Sequence, residues 1–135
     1  MTRPEHEIVT APGLAAPSGY AHAVIAAPGR TVHLGGQTAQ AADGSIQGTT
    51  IAEQFDLAAG NLIEALRAAG GKPDDLVSLQ VFVTNLAAYR LSMGVLGGVW
   101  RRHFGRRYPA MAVIGVTELF DPRALVELVG VAVIA

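Results

Sequence analysis

The 135 residues predict an α/β fold: a mixed β-sheet with two helices packed on one of its faces, in a single domain over residues 1–135. Three observations lead there. Two segments carry apolar residues at helical spacing. Short alternating or wholly apolar runs flank them and read as strands. The order is strand, hairpin, helix, strand, helix, strand, strand, so the helices serve as crossovers between strands.

Taken in order, His6-Glu-Ile-Val-Thr10 reads as a short first strand, and Pro12, Gly13, Pro17 and Gly19 break the chain after it. Tyr20–Ala27 and Thr31–Gly35 flank Pro28-Gly29, a turn signal, and read as a hairpin. Gly35-Gly36 at the end of that hairpin lets a backbone or ligand approach closely. A turn is expected at Asp43-Gly44. Thr50-Ile-Ala-Glu53 has capping-box spacing, and Ile51, Phe55, Ala58, Leu62, Leu66 and Ala69 form one apolar stripe behind it. Gly70-Gly71 and Pro73 stop this helix. Val77, Leu79, Val81 and Val83 then alternate with Ser78, Gln80, Phe82 and Thr84, a period-two strand. Asn85 caps a second helix with the stripe Tyr89, Met93, Leu96, Trp100 and Phe104. Gly94, Gly97 and Gly98 weaken that helix, for which close packing on the sheet is the expected compensation. A strand over Met111–Val116, a turn at Asp121-Pro122 and a final strand from Ala124 complete the chain.

Composition narrows the function. Apolar residues make up 50% and charged residues only 16%, well below the usual quarter. One small domain buries that excess poorly, so an oligomer is expected. Two helices cover one sheet face and leave the other for a partner. A net charge of −1 provides no field for nucleic acid or anionic membrane. The absence of cysteine excludes thiolate chemistry. Met1-Thr-Arg-Pro-Glu-His carries no apolar leader core, and no segment is apolar for long enough to span a membrane; a cytoplasmic protein is expected.

The sharpest chemical signal is Glu127, the one charge in Ala124-Leu-Val-Glu-Leu-Val-Gly-Val-Ala-Val-Ile-Ala135. An ionised carboxylate buried there without a partner costs several kcal/mol. It either pairs with an arginine, reaches a strand edge or is kept for a task. Gly35-Gly36-Gln37 could present N–H groups to an oxyanion, although a simple turn explains the glycines as well. His6, His22, His33 and His103 lack metal-ligand spacing, and surface or core roles are expected; His22 and His33 could share a face of the hairpin. The basic run Arg101-Arg102-His103-Phe104-Gly105-Arg106-Arg107 suits a helix end better than an RNA contact. No phosphate-binding loop and no nucleophile–base signature occur.

Six short motifs, in order, resemble one family. Pro17-Ser-Gly-Tyr-Ala-His-Ala-Val24 is similar to GPYSQAV, and Val32-His-Leu-Gly-Gly-Gln37 to VYVSGQ. Gln54 with Asn61-Leu-Ile-Glu-Ala-Leu-Arg-Ala-Ala-Gly70 resembles Q…N…L…AG. Val81-Phe-Val-Thr-Asn85 is similar to VFVTD, Tyr108-Pro-Ala-Met111 to FPAR, and Leu125-Val-Glu-Leu128 to LVEIE. The family is YjgF/YER057c/UK114, or Rid. The resemblance implies a chorismate-mutase-like fold of the bacterial trimeric type, and a homotrimer with small-molecule clefts between subunits. It implies hydrolysis of enamines and imines such as 2-aminoacrylate, with no cofactor and no metal; an RNA-cleaving role is reported for some relatives.

By the same resemblance Glu127 is the catalytic glutamate that orients or activates water. Tyr20, Gly35, Gly36 and Gln37 line the cleft. Met111 stands where the family's PAR motif has its carboxylate-binding arginine, and Met93 falls near a family asparagine. Methionine has no charge and no donor, so it cannot clamp a carboxylate. The expectation is a more apolar cleft, with Trp100 and Ala21 as further lining, suited to a neutral or amine-bearing ligand. Arg101, Arg102, Arg106 or Arg107 could substitute for the missing arginine. The alternative is a non-catalytic small-molecule-binding trimer.

Overall fold

The computed structural model describes residues 4–135; Met1, Thr2 and Arg3, part of the N-terminal run read above, lie outside the described residues. The strands are β1 (Glu7–Val9), β2 (Ala23–Ile25), β3 (Arg30–Gln37), β4 (Leu76–Val83), β5 (Ala110–Gly115) and β6 (Val126–Ile134). The helices are α1 (Ile51–Ala68), α2 (Leu86–Leu91) and α3 (Met93–Phe104), with one 3-10 turn at Pro73–Asp75. A four-stranded mixed sheet has the order β3-β6-β4-β5, while β1 and β2 form a separate ribbon. The final strand is thus central. β6 runs antiparallel to both β3 and β4, and β4 runs parallel to β5. The apolar run from Ala124 suggested a strand covered on both faces; within one chain Val126, Leu128, Gly130 and Ala132 are buried, while Glu127, Val129 and Val131 between them are only half-buried.

Helix α1 begins as its sequence specifies. Thr50 accepts a hydrogen bond from the Glu53 N–H at 3.1 Å, and the Glu53 carboxylate accepts from the Thr49 N–H at 2.9 Å. Ile51, Phe55, Ala58, Leu62 and Leu66 are all buried, whereas Ala69, at the C-cap, is exposed. The stripe packs on Leu34 of β3, on Leu79, Val81 and Val83 of β4, and on Val126, Leu128 and Ala132 of β6. Gln54 is the one polar residue in the buried stripe face. Its amide donates to the carbonyls of Gly48 and Arg123, and its oxygen accepts from the Leu125 N–H at 2.8 Å. Asn61 donates to the carbonyls of Thr38 and Gln40, both at 2.9 Å. These two amides tie α1 to the chain that leaves β3 and to the chain that enters β6.

Three expectations are corrected. β2 does not pair with β3: its ladder is with β1, Glu7 opposite Ile25, whereas β3 lies along β6 from Arg30 opposite Ile134. The Pro28-Gly29 turn hands the chain from the ribbon to the main sheet, and His22 and His33 lie in different places as a result. The second helix is two helices. Ser92 breaks it, with its hydroxyl donating back to the Ala88 carbonyl at 2.8 Å. This back-bonding competes with the regular helix ladder and bends it. Finally, Gly94, Gly97 and Gly98 do not pack on the sheet. A Cβ at any of them would meet nothing within 4 Å.

Candidate functional site

The sites expected from sequence fall into two groups on opposite faces of the sheet. The first surrounds Met111. The Ala21 N–H donates to the Pro109 carbonyl at 3.0 Å, and Ala21 bridges Ala110 in parallel, so segment 18–22 lies against the start of β5. Gly19, at φ +75°, turns the chain just before Tyr20. His22 steadies the same segment. Its Nδ1 accepts from the Ala11 N–H at 3.0 Å, which leaves Nε2 to donate to the Ala15 carbonyl at 2.9 Å. Its ring lies 5.9 Å from that of Tyr20. Asn85 caps α2 by accepting the Ala88 N–H at 3.0 Å, and the Ser92 break then turns the chain into α3. Tyr89 and Met93 thereby face Met111 across a cleft of about 280 Å³ that Ser18, Gly19 and Tyr20 close on the third side. Met111 packs against the main core, and so points to the helix side of the sheet.

None of the described residues lining this cleft is charged. None of Arg101, Arg102, Arg106 and Arg107 lines it. Arg102 pairs with Asp56 and Arg107 with Glu5. Asp56 also binds His103 Nε2 at 2.6 Å. Burial pushes the Asp56 carboxyl up, but the hydrogen bonds from His103 and Arg102 outweigh it and hold Asp56 below its ordinary range. Trp100 and Ala21 are buried. Trp100 stacks on Phe104 and Tyr108, with centroids at 4.1 and 5.0 Å, and its N–H donates to the Arg107 carbonyl; it lines not this cleft but a smaller space of about 80 Å³ that shares Tyr89, Met93 and Met111 with it.

The second group lies on the β3–β6 seam. The register slips between Leu34, opposite Gly130, and Gln37, opposite Leu128, so Gly35 and Gly36 form a bulge. Glu127, half-buried, lies over that bulge. A Cβ on Gly36 would stand 2.7 Å from Glu127 Oε1. This is the close approach the glycine pair suggested, and a side chain rather than a ligand makes it. Of the alternatives open to it, pairing with an arginine is not the one seen: Glu127 makes no hydrogen bond or ion pair with any described residue. It shares its register with Phe82, opposite the face that Leu128 and Val126 give to the core. Within one chain, Met111 and Glu127 therefore cannot line a common cleft.

Tyr89 is the site residue that sequence reasoning missed. It reads as one more apolar stripe position, and only the hydroxyl, which a core position does not need, marks it. Burial pushes its phenol above the ordinary value, with a smaller contribution from Tyr108.

The chain matches the family model described as endoribonuclease L-PSP over residues 10–134. A conserved Rid-family protein of unknown function from Yersinia pestis, YyfB, is 30% identical with a TM-score of 0.85, over 97% of this chain and 100% of that one. A YjgF/YER057c/UK114 family member from Mycobacterium tuberculosis is 30% identical with a TM-score of 0.64, over 86% of this chain and 87% of that one. RidA from the Antarctic bacterium Psychrobacter sp. PAMC 21119 is 26% identical with a TM-score of 0.68, over 89% and 92%. Comparison with curated proteins gives no match. A shared mixed sheet with its helices on one side and a family match over most of the length lead to one conclusion: the chain belongs to the endoribonuclease L-PSP family, the YjgF/YER057c/UK114 or Rid group.

Proposed function

We propose that this chain acts on a small, neutral imine, enamine or related metabolite, in a cleft completed between the subunits of a homotrimer. The observation that carries this reading is Met111, an uncharged wall where the family motif has a carboxylate-binding arginine, in a cleft without charged lining. A substrate carboxylate would lose its hydration there and gain no counter-ion. Glu127 supplies the other half. Its unpartnered carboxylate lies on the opposite sheet face, beside half-buried Phe82, Val129 and Val131, an apolar surface suited to a second copy. Assembly would bring the Glu127 face of one subunit to the Met111 cleft of the next. There Glu127 would take a proton from water as the oxygen attacks the C=N carbon. An enamine would first tautomerise to the imine; the nitrogen would receive the proton Glu127 took from water to give a carbinolamine, and then, through Glu127, the hydroxyl proton as the C–N bond breaks, so that ammonia leaves and the hydroxyl oxygen becomes the carbonyl.

The test is hydrolysis of 2-aminoacrylate by the intact protein. The wild type is expected to stay near the spontaneous rate. Met111→Arg, which restores a bidentate clamp, is expected to raise kcat/KM by roughly 30-fold or more, from a charge-assisted contact of about 2 kcal/mol or more. Adding Glu127→Gln should return that variant to baseline. Efficient hydrolysis by the wild type would defeat the reading. The separation of Glu127 from the cleft within one chain favours a second reading, a non-catalytic binding trimer. On that reading, Met111→Arg would gain affinity for 2-keto acids without gaining turnover.

A further inference from the structure

The unexplained group in the cleft is the Tyr89 hydroxyl. The residue is 9% exposed, and its ring sits 6.4 Å from Phe55 in the core. Its hydroxyl makes no hydrogen bond with any described residue. Yet among the described residues no fully shielded side-chain oxygen or nitrogen lacks a partner. The small exposed part of Tyr89 therefore includes its oxygen, and Tyr89 lines two adjoining spaces. These are the 280 Å³ cleft and the one of about 80 Å³, which share Tyr89, Met93, Met111 and Gly19. A phenylalanine would pack against Phe55 equally well. The hydroxyl adds only a polar atom, which costs about 1–3 kcal/mol if buried and left unsatisfied.

We propose that Tyr89 Oη is the hydrogen-bond donor that anchors the ligand, and that the ligand is a small uncharged molecule with an apolar body and one acceptor, a carbonyl oxygen or an imine nitrogen. This rests on the reading of the Met111 cleft as the small-molecule site, and it names what that site recognises. Methionines 93 and 111 supply adaptable apolar walls. Among the described residues no charged side chain lines either space, so neither a carboxylate nor an ammonium finds a counter-ion among them. The hydroxyls of Ser18, Tyr20 and Tyr108 belong to residues that also line these spaces, but Ser18 and Tyr20 are exposed and Tyr108 only half-buried, so buried Tyr89 is the polar contact most fixed in place, which gives orientation rather than strong affinity. The raised titration of the phenol keeps it a donor at neutral pH.

The experiment uses two probes of the same shape, cyclohexanone and methylenecyclohexane, titrated into the intact protein carrying 13C-labelled methionine methyls. Tyr89→Phe is expected to weaken cyclohexanone about five- to tenfold and to leave methylenecyclohexane within about twofold, the loss of one neutral hydrogen bond. In the wild type, the Tyr89 Cζ signal should move with the ketone and not with the alkene. Equal effects on both probes would show a packing role and overturn the inference, as would no effect on either. If neither probe moves the Met93 or Met111 methyl signals, the cleft reading itself fails. If both probes move them but ignore Tyr89, only the tyrosine inference fails.

Discussion

The spacing between Gly36 and Glu127 is the most consequential contact between two residues in the molecule. Any side chain at position 36 would occupy the volume of the carboxylate. A carboxylate on a flexible stem can swing away, so Gly36→Ala should cost little stability and should misplace Glu127. In a Met111→Arg background, it is expected to lower 2-aminoacrylate turnover at least tenfold with Tm almost unchanged. Gln54 is the opposite case, a residue of structure alone. Gln54→Leu keeps the volume and loses three hydrogen bonds at a buried site. A loss of about 2–4 kcal/mol is expected in denaturant unfolding. Asp56 sets an acid limit. Its folded value lies below the ordinary 3.8. Its contribution is therefore present above that value and is lost as pH falls through the folded one. Asp56→Asn should remove this part of the acid sensitivity, read as a flatter dependence of Tm on pH below about 4. The ion pair is partly exposed, so the effect is small.

At the level of elements, helix α3 is built against its own interest. Gly94, Gly97 and Gly98 weaken it, and no described residue comes within 4 Å of where their Cβ atoms would stand. Gly98 has ordinary helical backbone with φ below zero. Gly98→Ala is therefore expected to stabilise the chain by about 0.5–1 kcal/mol, seen as a higher Tm. A loss of stability would mean that a second copy covers this face. The α2–α3 break was not legible from the apolar stripe, because Tyr89, Leu96, Trp100 and Phe104 keep helical spacing across it. Ser92 carries the only local signal, and a serine inside a helix is common enough to pass unnoticed. The hairpin expectation failed for a similar reason. Pro28-Gly29 does turn the chain, but which strand pairs with which depends on β1 and β6, distant in sequence.

At the scale of the whole molecule, one chain holds the cleft on one side of the sheet and the carboxylate on the other. The apolar open face is the physical reason to expect assembly. Burying a valine-sized side chain contributes about 1.5–3 kcal/mol, and a charge set there without a partner reverses the sign. Val129→Asp is expected to dissociate the assembly, read by light scattering as a mass near the 14.0 kDa of one chain. It should leave the Tyr89–Met111 cleft folded. A wild type that already runs at one-chain mass would remove the proposed shared site.

The amino-acid sequence by itself determined the α/β class, the capped and striped first helix, the apolar last strand and the family. Each rests on local periodicity, a cap or a short motif, interactions that lie within a few residues of one another. It also singled out Glu127, because a charge in an apolar strand is conspicuous without coordinates. Only the tertiary structure decided that Glu127 meets Gly36 rather than an arginine, that Met111 lies on the other face of the sheet, and that Tyr89 lines the cleft beside Met111. Strand register and face depend on pairings across the chain, and a one-residue shift in register exchanges the faces.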